Sequence, residues 1–114
     1  MLPKEFRLKK RTAFSATYRT GKTLHADGIT VFIGKSKNTD FPTRVGFVVS
    51  KKFHKRAVKR NRIKRLMRES YRLMIKEKSV PNKYMSIIFT ASSKLLNKNF
   101  TEIDSIMKKL VSKL

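Results

Sequence analysis

The chain has 114 residues, of which 29 are Lys or Arg and 7 are Asp or Glu, so its formal net charge is +22. It has no cysteine, which excludes disulfides and thiolate metal sites, and no apolar run long enough for a transmembrane helix or a secretory signal, so we expect a cytoplasmic protein. Because a compact domain with this charge repels itself, the composition predicts a polyanionic partner: nucleic acid first, an anionic membrane second and heparin-like polymers a distant third.

The predicted elements form a single α+β domain over 1–114, with helices packed on a small central sheet in the order α-β-β-(β)-α-β-α. Residues 1–10 are typical of an extended basic arm. The next segment, 11–21, predicts a short helix with Thr12 as its N-cap and Gly21 at its end. This helix has an aromatic side, since two rings lie one turn apart: Phe14 and Tyr18.

Two segments, 28–35 and 43–50, have the composition and alternation of strands. Asn, Asp and Pro between them predict that the two strands form a hairpin with a loose loop. One face of this pair is apolar and suits a core. The other face is mixed and carries Thr30, Phe32, Gly34, Arg44, Gly46, Val48 and Ser50. Residues 22–27, just before, predict one further short strand.

The second half of the chain predicts four elements: a long helix at 56–76, a strand at 83–91, a turn at 92–97 and an amphipathic closing helix at 99–114. The strand places three apolar residues on one face: Met85, Ile87 and Phe89. In the closing helix, Asn99 and Glu102 have the spacing of a capping box. Its apolar stripe consists of Phe100, Ile103, Met107, Leu110 and Leu114.

The long helix sorts its charge to one side. At about 100° per residue, an apolar arc forms that can bury against the sheet: Ile63, Leu66, Met67, Tyr71 and Met74. The opposite side carries what we call the cationic ridge: Asn61, Arg62, Lys64, Arg65, Arg68 and Arg72. Of the 26 residues at 51–76, twelve are basic and one is acidic, whereas a solvated helix face normally intersperses Glu. Since Arg suits phosphate oxygens and stacks on bases, the ridge predicts a polyanion-binding surface.

RNA fits this helix better than a membrane or DNA does. A membrane-surface helix would carry Trp, Phe and Leu along a wide apolar face. A helix-turn-helix reader would need a second short helix just before this one, where the sequence instead predicts a strand and a basic loop. We therefore interpret the chain as an RNA-binding protein. Two functions that stay open are a structural ribosomal protein of similar α+β fold and a free-standing ribonuclease.

The acids and imidazoles do not form the acid–base set of a protein nuclease. Only Glu102 and Asp104 are close in sequence, and at i, i+2 on a helix they do not face each other, so no two-metal site is predicted. Both imidazoles, His25 and His54, lie in polar segments and are expected at the surface. We expect no catalytic residue and no protein-bound metal, although Asp27 stays a candidate for a position near Mg²⁺ held by RNA.

Two stretches resemble the protein component of bacterial ribonuclease P: RNRIKRLMRES at 60–70 and RVGFVVSKK at 44–52. The segment RLKKRTAFSATYRTGK at 7–22 also resembles the first helix of that family, and element order and length agree over nearly the whole chain. The family signature is an Arg-Asn-Arg core followed by Ile-Lys-Arg and a further Arg. Its positions are filled here by Arg60, Asn61, Arg62, Lys64, Arg65 and Arg68.

The resemblance implies a non-catalytic subunit of a ribonucleoprotein enzyme. In that family a large RNA, with bound Mg²⁺ held mainly by RNA, removes the 5′ leader of precursor tRNA. In that family, the long helix lies in a left-handed βαβ crossover. The implied partners are the ribonuclease P RNA and precursor tRNA, with no membrane and no DNA, and the protein is expected to be a monomer.

The resemblance also implies two RNA-binding surfaces. The surface for the catalytic RNA would consist of the cationic ridge with Arg60, Lys51 and Lys52. A cleft between the first helix and the sheet would hold the single-stranded leader, where aromatic stacking suits binding that tolerates any sequence. Its residues would be Phe14, Tyr18, Phe32, Arg11, Arg44 and Ser50.

Overall fold

The computed structural model describes residues 2–52 and 54–114, which contain three helices and a four-stranded sheet. Helices α1, α2 and α3 span Arg11–Arg19, Ala57–Lys76 and Phe100–Ser112. Strands β1 to β4 span Lys22–Ala26, Ile29–Ile33, Arg44–Val48 and Ser86–Ala91. Short 3-10 turns occur at Lys4–Phe6 and Ser93–Leu95. The α+β class and the element order are confirmed, including the short strand predicted at 22–27.

Strands β1 and β2 form a tight antiparallel hairpin. Ala26 pairs with Ile29, so only Asp27 and Gly28 connect the strands. Their φ angles are +46° and +99°, the left-handed conformation that a two-residue type I′ turn requires at both positions. Gly28 adopts this conformation without steric cost, and Asp tolerates it better than most residues do.

The predicted hairpin between the segments at 28–35 and 43–50 is wrong. The strand order is β1-β2-β4-β3, so β4 lies between β2 and β3. It pairs antiparallel with β2 and parallel with β3. A parallel pair needs a long crossover connection, and α2 lies within it. The turn residues of the loop before β3 mark a change of direction but do not determine the pairing partner. The hand of the crossover stays a prediction.

The hydrophobic core lies between one face of the sheet and the helices α2 and α3. The sheet contributes Ile29, Val31, Val45, Ile87 and Phe89. The helices contribute Ile63, Met67, Tyr71, Met74, Ile103, Met107 and Leu110, which confirms both predicted apolar stripes. Leu66, Phe100 and Leu114 are half-buried at the margins. The predicted placement of Met85 on this face is wrong, because β4 begins at Ser86 and the Met85 side chain is 43% exposed.

The helix ends follow local hydrogen bonding. Asn99 Oδ1 accepts from the Glu102 backbone N–H at 2.9 Å, and Glu102 Oε1 accepts from the Asn99 backbone N–H at 3.2 Å, so the capping box is confirmed. Helix α1 begins one residue before Thr12, with Lys10 in the N-cap position, so the predicted Thr12 cap is wrong. Gly21, with φ of +72°, ends this helix as expected.

Helix α1 packs on the opposite face of the sheet from α2 and α3. Thr17 is buried, and its hydroxyl group is hydrogen-bonded to that of Ser86 on β4. The N-terminal segment lies along β3, since the Leu8 N–H donates to the Val45 carbonyl oxygen at 3.0 Å. Within the expected arm at 1–10, of which Met1 lies outside the described residues, Leu2 and Leu8 are buried. The described helices include none that is long and apolar enough to cross a membrane.

Candidate nucleic-acid interface

One flank of α1 carries the two aromatic residues that the sequence indicated. The Phe14 ring lies directly over Gly46 of β3: a Cβ added to Gly46 would stand 2.7 Å from Phe14 Cε1. Tyr18 meets Phe32 of β2 edge-on, with ring centroids 4.8 Å apart and planes at 77°. Phe14 and Phe32 are half-buried and Tyr18 is 38% exposed, so all three rings retain surface for stacking. Burial of part of the ring raises the pKa of Tyr18 above its ordinary value.

The strand register shows what lies beside these rings. Phe32 and Gly46 both pair with Ile88 of β4, so these three residues form one row across the sheet. The Tyr18 ring contacts one end of this row, at Phe32, and the Phe14 ring contacts the other, at Gly46. The next row on the same face is formed by His25, Thr30, Thr90 and Val48. His25 Nδ1 and Thr30 Oγ1 are 2.8 Å apart, within hydrogen-bond distance. We call this surface the aromatic groove, with a wall of Phe14, Tyr18 and Phe32 and a floor of His25, Thr30, Thr90 and Val48.

A cleft of about 340 Å³ opens beside Phe14, between the N-terminal segment and α2. Four cations line it: Arg7, Lys9, Lys64 and Arg68. We call it the cationic cleft. Lys64 and Arg68 belong to the cationic ridge, so the ridge and the aromatic groove meet at this cleft. Sequence reasoning missed Arg7 and Lys9, because only the docking of the N-terminal segment along β3 brings them there.

The crest of the cationic ridge is formed by Asn61 and Arg65, which are exposed on the solvent side of α2. The Arg62 side chain extends away from the crest, toward the segment that precedes α3. Its Nη2 donates to the Lys98 carbonyl oxygen at 3.0 Å, and its Nη1 donates to that of Leu96 at 3.5 Å. Part of the Arg62 guanidinium group is therefore hydrogen-bonded within the protein.

Arg72 forms an ion pair with Glu69, the one acid in α2. Arg72 Nη2 donates to Glu69 Oε1 at 2.6 Å, and Arg72 Nε donates to Oε2 at 3.0 Å. These hydrogen bonds lower the pKa of Glu69 and raise that of Arg72. Because Glu69 accepts from two of its donors, Arg72 has fewer free donors for a further partner than an arginine without such a contact.

Arg60 holds the loop that precedes α2. Its Nη1 donates to the His54 carbonyl oxygen at 3.0 Å and to that of Lys55 at 3.1 Å. His54 Nδ1 in turn accepts from the Arg56 backbone N–H at 3.0 Å. Arg60 thus has a structural role besides its predicted one. The other two expected contacts in this region, Lys51 and Lys52, are exposed in the same loop.

The remaining residues predicted for the leader cleft are not all brought together. Arg11 is exposed and lies one turn before Phe14 on α1, on the same flank. Ser50 is exposed and follows the Val48 floor position by two residues. Arg44 lies apart from the aromatic groove, because it lines a cleft on the other flank of α1 with Ala13 and Ala16.

Four of the described acids pair with neighbouring cations: Asp27, Glu69, Glu102 and Asp104. Among residues 2–52 and 54–114, no three His, Asp or Glu side chains are placed to hold a metal ion. Asp104 accepts from Ser70 Oγ at 2.7 Å and pairs with Lys108 at 3.1 Å. Asp27 Oδ2 lies 3.8 Å from Lys109 Nζ. These donor sets do not fit a Mg²⁺ held by the protein.

The model of the family described as ribonuclease P matches residues 2–114. The chain belongs to this family. The ribonuclease P protein component of Clostridioides difficile is 41% identical over 106 residues, which are 93% of this chain and 89% of that protein. The ribonuclease P protein of Staphylococcus aureus superposes with a TM-score of 0.78 at 27% identity, covering 95% of this chain and 94% of that one. That of Thermotoga maritima superposes with a TM-score of 0.79 at 26% identity, covering 95% and 96%.

Family membership identifies the chain as the protein subunit of an endoribonuclease whose catalyst is RNA. Its partner is the ribonuclease P RNA, and the holoenzyme processes the 5′ leader of tRNA precursors. The resemblance drawn from the Arg-Asn-Arg signature is confirmed, and the ribosomal-protein alternative is not favoured.

Proposed function

We propose that the protein holds the 5′ leader of precursor tRNA in the aromatic groove while the cationic ridge binds the ribonuclease P RNA. A leader must be held whatever its sequence, and stacking on aromatic rings is tolerant of sequence because every base has a π-face. Phe14, Tyr18 and Phe32 offer accessible ring surface along one side of the sheet, beside a floor of threonine hydroxyl groups.

The observation that carries this proposal is the meeting of the two surfaces at the cationic cleft. Lys64 and Arg68 project from the ridge into the cleft that Phe14 also lines. A leader that leaves the aromatic groove at the cationic cleft meets four cations that can contact its phosphates. RNA bound along the crest of the ridge lies next to this leader. Phosphate neutralisation at this junction brings the two RNAs together with less electrostatic cost.

In the holoenzyme, we propose, Mg²⁺ is held mainly by RNA, and the protein contributes cations rather than metal ligands. Each phosphate that Lys or Arg neutralises reduces the repulsion between leader and catalytic RNA, so efficient cleavage needs less Mg²⁺. A monomeric protein in the cytoplasm, binding both the RNA subunit and precursor tRNA, is sufficient for this role.

Cleavage of precursor tRNA at low Mg²⁺ tests this role in three reactions: the protein alone, a bacterial ribonuclease P RNA alone, and both together. We expect a cut at the mature 5′ end only in the mixture. Cleavage by an RNA-free protein preparation would contradict the non-catalytic role. Failure of the protein to assist the RNA at every salt concentration would contradict the subunit role.

Phe14→Ala tests the position of the leader. We expect weaker binding of leader-bearing precursor relative to mature tRNA, with unchanged affinity for the RNA subunit, because one stacking ring is lost. Fluorescence titration of the two ligands measures the preference, and urea unfolding checks that the variant stays folded. Equal weakening for precursor and mature tRNA would count against the aromatic groove.

A further inference from the structure

The second flank of α1 borders a separate groove that the proposed function does not use. Ala13 and Ala16 face it, and their small side chains leave a cleft of about 410 Å³. The opposite side is formed by the loop between β2 and β3 and by the residue before β4. We call this the alanine groove, and its main lining residues are Ala13, Ala16, Lys35, Phe41, Arg44 and Met85.

Two large apolar side chains of this groove are left in water. Phe41 is 66% exposed and Met85 is 43% exposed, although the core is close by. When a partner covers exposed apolar surface beside a concave site, the free energy falls, so such surface favours binding. Phe41 lies in the loop and Met85 lies just before β4, so both side chains border the groove without forming part of the core.

The charged residues that line this groove are all cations. Lys35, Lys37 and Arg44 line the groove, and its described lining residues include no Asp or Glu. The ion pairs formed between described residues involve other cations: Arg72, Lys98, Lys108 and Lys109. Lys37 donates to the side chain of Asn82, a neutral group. An exposed aromatic ring bordered by cations is complementary to a base with its flanking phosphates.

We propose that the alanine groove binds an unpaired nucleotide of single-stranded RNA. The base would stack against Phe41 and Met85, and the flanking phosphates would contact Lys35 and Arg44. The cleft volume lies in the range of sites for single small ligands, so it suits one extruded nucleotide rather than a duplex. Helix α1 thus separates two grooves for single-stranded RNA. Binding at the alanine groove depends neither on the leader nor on the aromatic groove.

Photo-crosslinking of the full chain to a short oligouridine that contains 4-thiouridine tests the proposal, with the attached peptides identified by mass spectrometry. We expect crosslinks at Phe41 or Met85. Phe41→Ala removes the stacking ring, and Ala16→Trp fills the groove without removing any contacting group. Each variant should lower the crosslink yield at this groove by about fivefold or more, the factor that corresponds to the loss of one stacked base.

Val58→Ala is the matched control, because Val58 is a 74% exposed apolar side chain on α2, outside this groove. It should leave the yield at the alanine groove unchanged. Crosslinks confined to Phe14, Tyr18 and Phe32 would overturn this proposal and leave the leader assignment standing. Crosslinks at Phe41 that survive Ala16→Trp, or crosslinks at Met85 that survive both groove variants, would also overturn it. Crosslinks at Phe41 together with a wild-type leader preference in Phe14→Ala would support the alanine groove and reject the leader assignment.

Discussion

At the scale of single residues, the ring of Phe14 reaches the sheet because position 46 has no side chain. A Cβ there would stand 2.7 Å from Phe14 Cε1 and 2.8 Å from Cζ, closer than packed carbon atoms approach. The ring therefore contacts β3 directly at Gly46, while part of it stays exposed beside the aromatic groove. Gly46 is thus a positioning residue for Phe14.

Gly46→Ala should displace the Phe14 ring. We expect the free energy of unfolding to fall by about 1–3 kcal/mol, as for an overpacked site, and the preference for leader-bearing precursor to weaken. Urea unfolding and paired titrations measure the two effects. Gly21→Ala is the control. The φ of +72° at Gly21 also makes this substitution strained, but no atom of the described residues lies within 4 Å of the added Cβ. A wild-type leader preference in Gly46→Ala would show that the ring position does not matter.

The Tyr71 hydroxyl group is buried in the core, where it forms no hydrogen bond with the residues that the structure describes. Burial also raises the pKa of Tyr71 above the ordinary value of a phenol. Its ring packs edge-on against Phe47 with centroids 6.0 Å apart, and in a tilted arrangement against Phe89 with centroids 5.9 Å apart. The ring stabilises the core, whereas the buried hydroxyl group opposes folding.

Tyr71→Phe should raise the free energy of unfolding by about 1 kcal/mol, because it removes a buried polar group without a partner and keeps the ring contacts. Urea or thermal unfolding measures the change. Tyr18→Phe, at a ring whose surface is partly in water, should change stability little. A marked loss of stability in Tyr71→Phe would mean that the hydroxyl group is hydrogen-bonded after all.

At the scale of elements, α2 combines a buried apolar side with a cationic side that contains one acid. Glu69 accepts hydrogen bonds from two donors of Arg72, which would otherwise be free for RNA at the proposed interface. Glu69→Gln should therefore strengthen binding to the ribonuclease P RNA and steepen the plot of log affinity against log salt concentration by up to about one unit. A salt series of binding titrations measures both.

Glu77→Gln separates the release of Arg72 from the change in net charge. Glu77 is exposed at the end of α2, and its replacement adds the same charge without freeing an arginine on the ridge. We expect a smaller effect than that of Glu69→Gln. Equal effects of the two variants would show that net charge alone, and not Arg72, determines the affinity.

The helices could be predicted from the sequence because their signals are local. The spacing of Ile63, Met67 and Met74 indicates the buried side of α2, and Asn99 with Glu102 indicates the start of α3. The pairing of strands could not be predicted in the same way, since an alternating segment does not specify its neighbour. The Asp27–Gly28 dipeptide did carry the information for the β1–β2 hairpin, because a type I′ turn favours those two residue types.

The candidate interface was predictable to a similar extent. The cationic ridge follows from the periodicity of a single helix, so its members could be named from the sequence. The positions of Arg7 and Lys9 beside Arg68, and of Arg44 beyond α1, depend on where distant segments dock. Phe41 gave no signal, because an aromatic residue in a loop has no periodic neighbours that indicate its exposure.

At the scale of the whole molecule, the charge of +22 is held within a radius of gyration of 13.2 Å. The ion pairs between described residues neutralise few of the 29 cations. Repulsion between the rest opposes the compact state, so bound anions should stabilise it. RNA supplies such anions in the holoenzyme.

Sulfate or phosphate should raise the melting temperature of the free protein by several degrees, since a gain of about 1 kcal/mol shifts it by roughly 4–8 °C in a domain of this size. Calorimetry with chloride at matched ionic strength separates anion binding from general screening. Equal melting temperatures in the two salts would show that screening alone acts.

The central position of β4 has a consequence for synthesis on the ribosome. This strand is the last of the four in the chain, yet it joins the β1–β2 hairpin to β3. A nascent chain that ends before Ser86 holds a hairpin and a third strand with nothing between them, so the sheet closes late and through contacts distant in sequence. Phe32 and Gly46 lie on either side of Ile88, and the aromatic groove therefore forms only after nearly the whole chain has emerged.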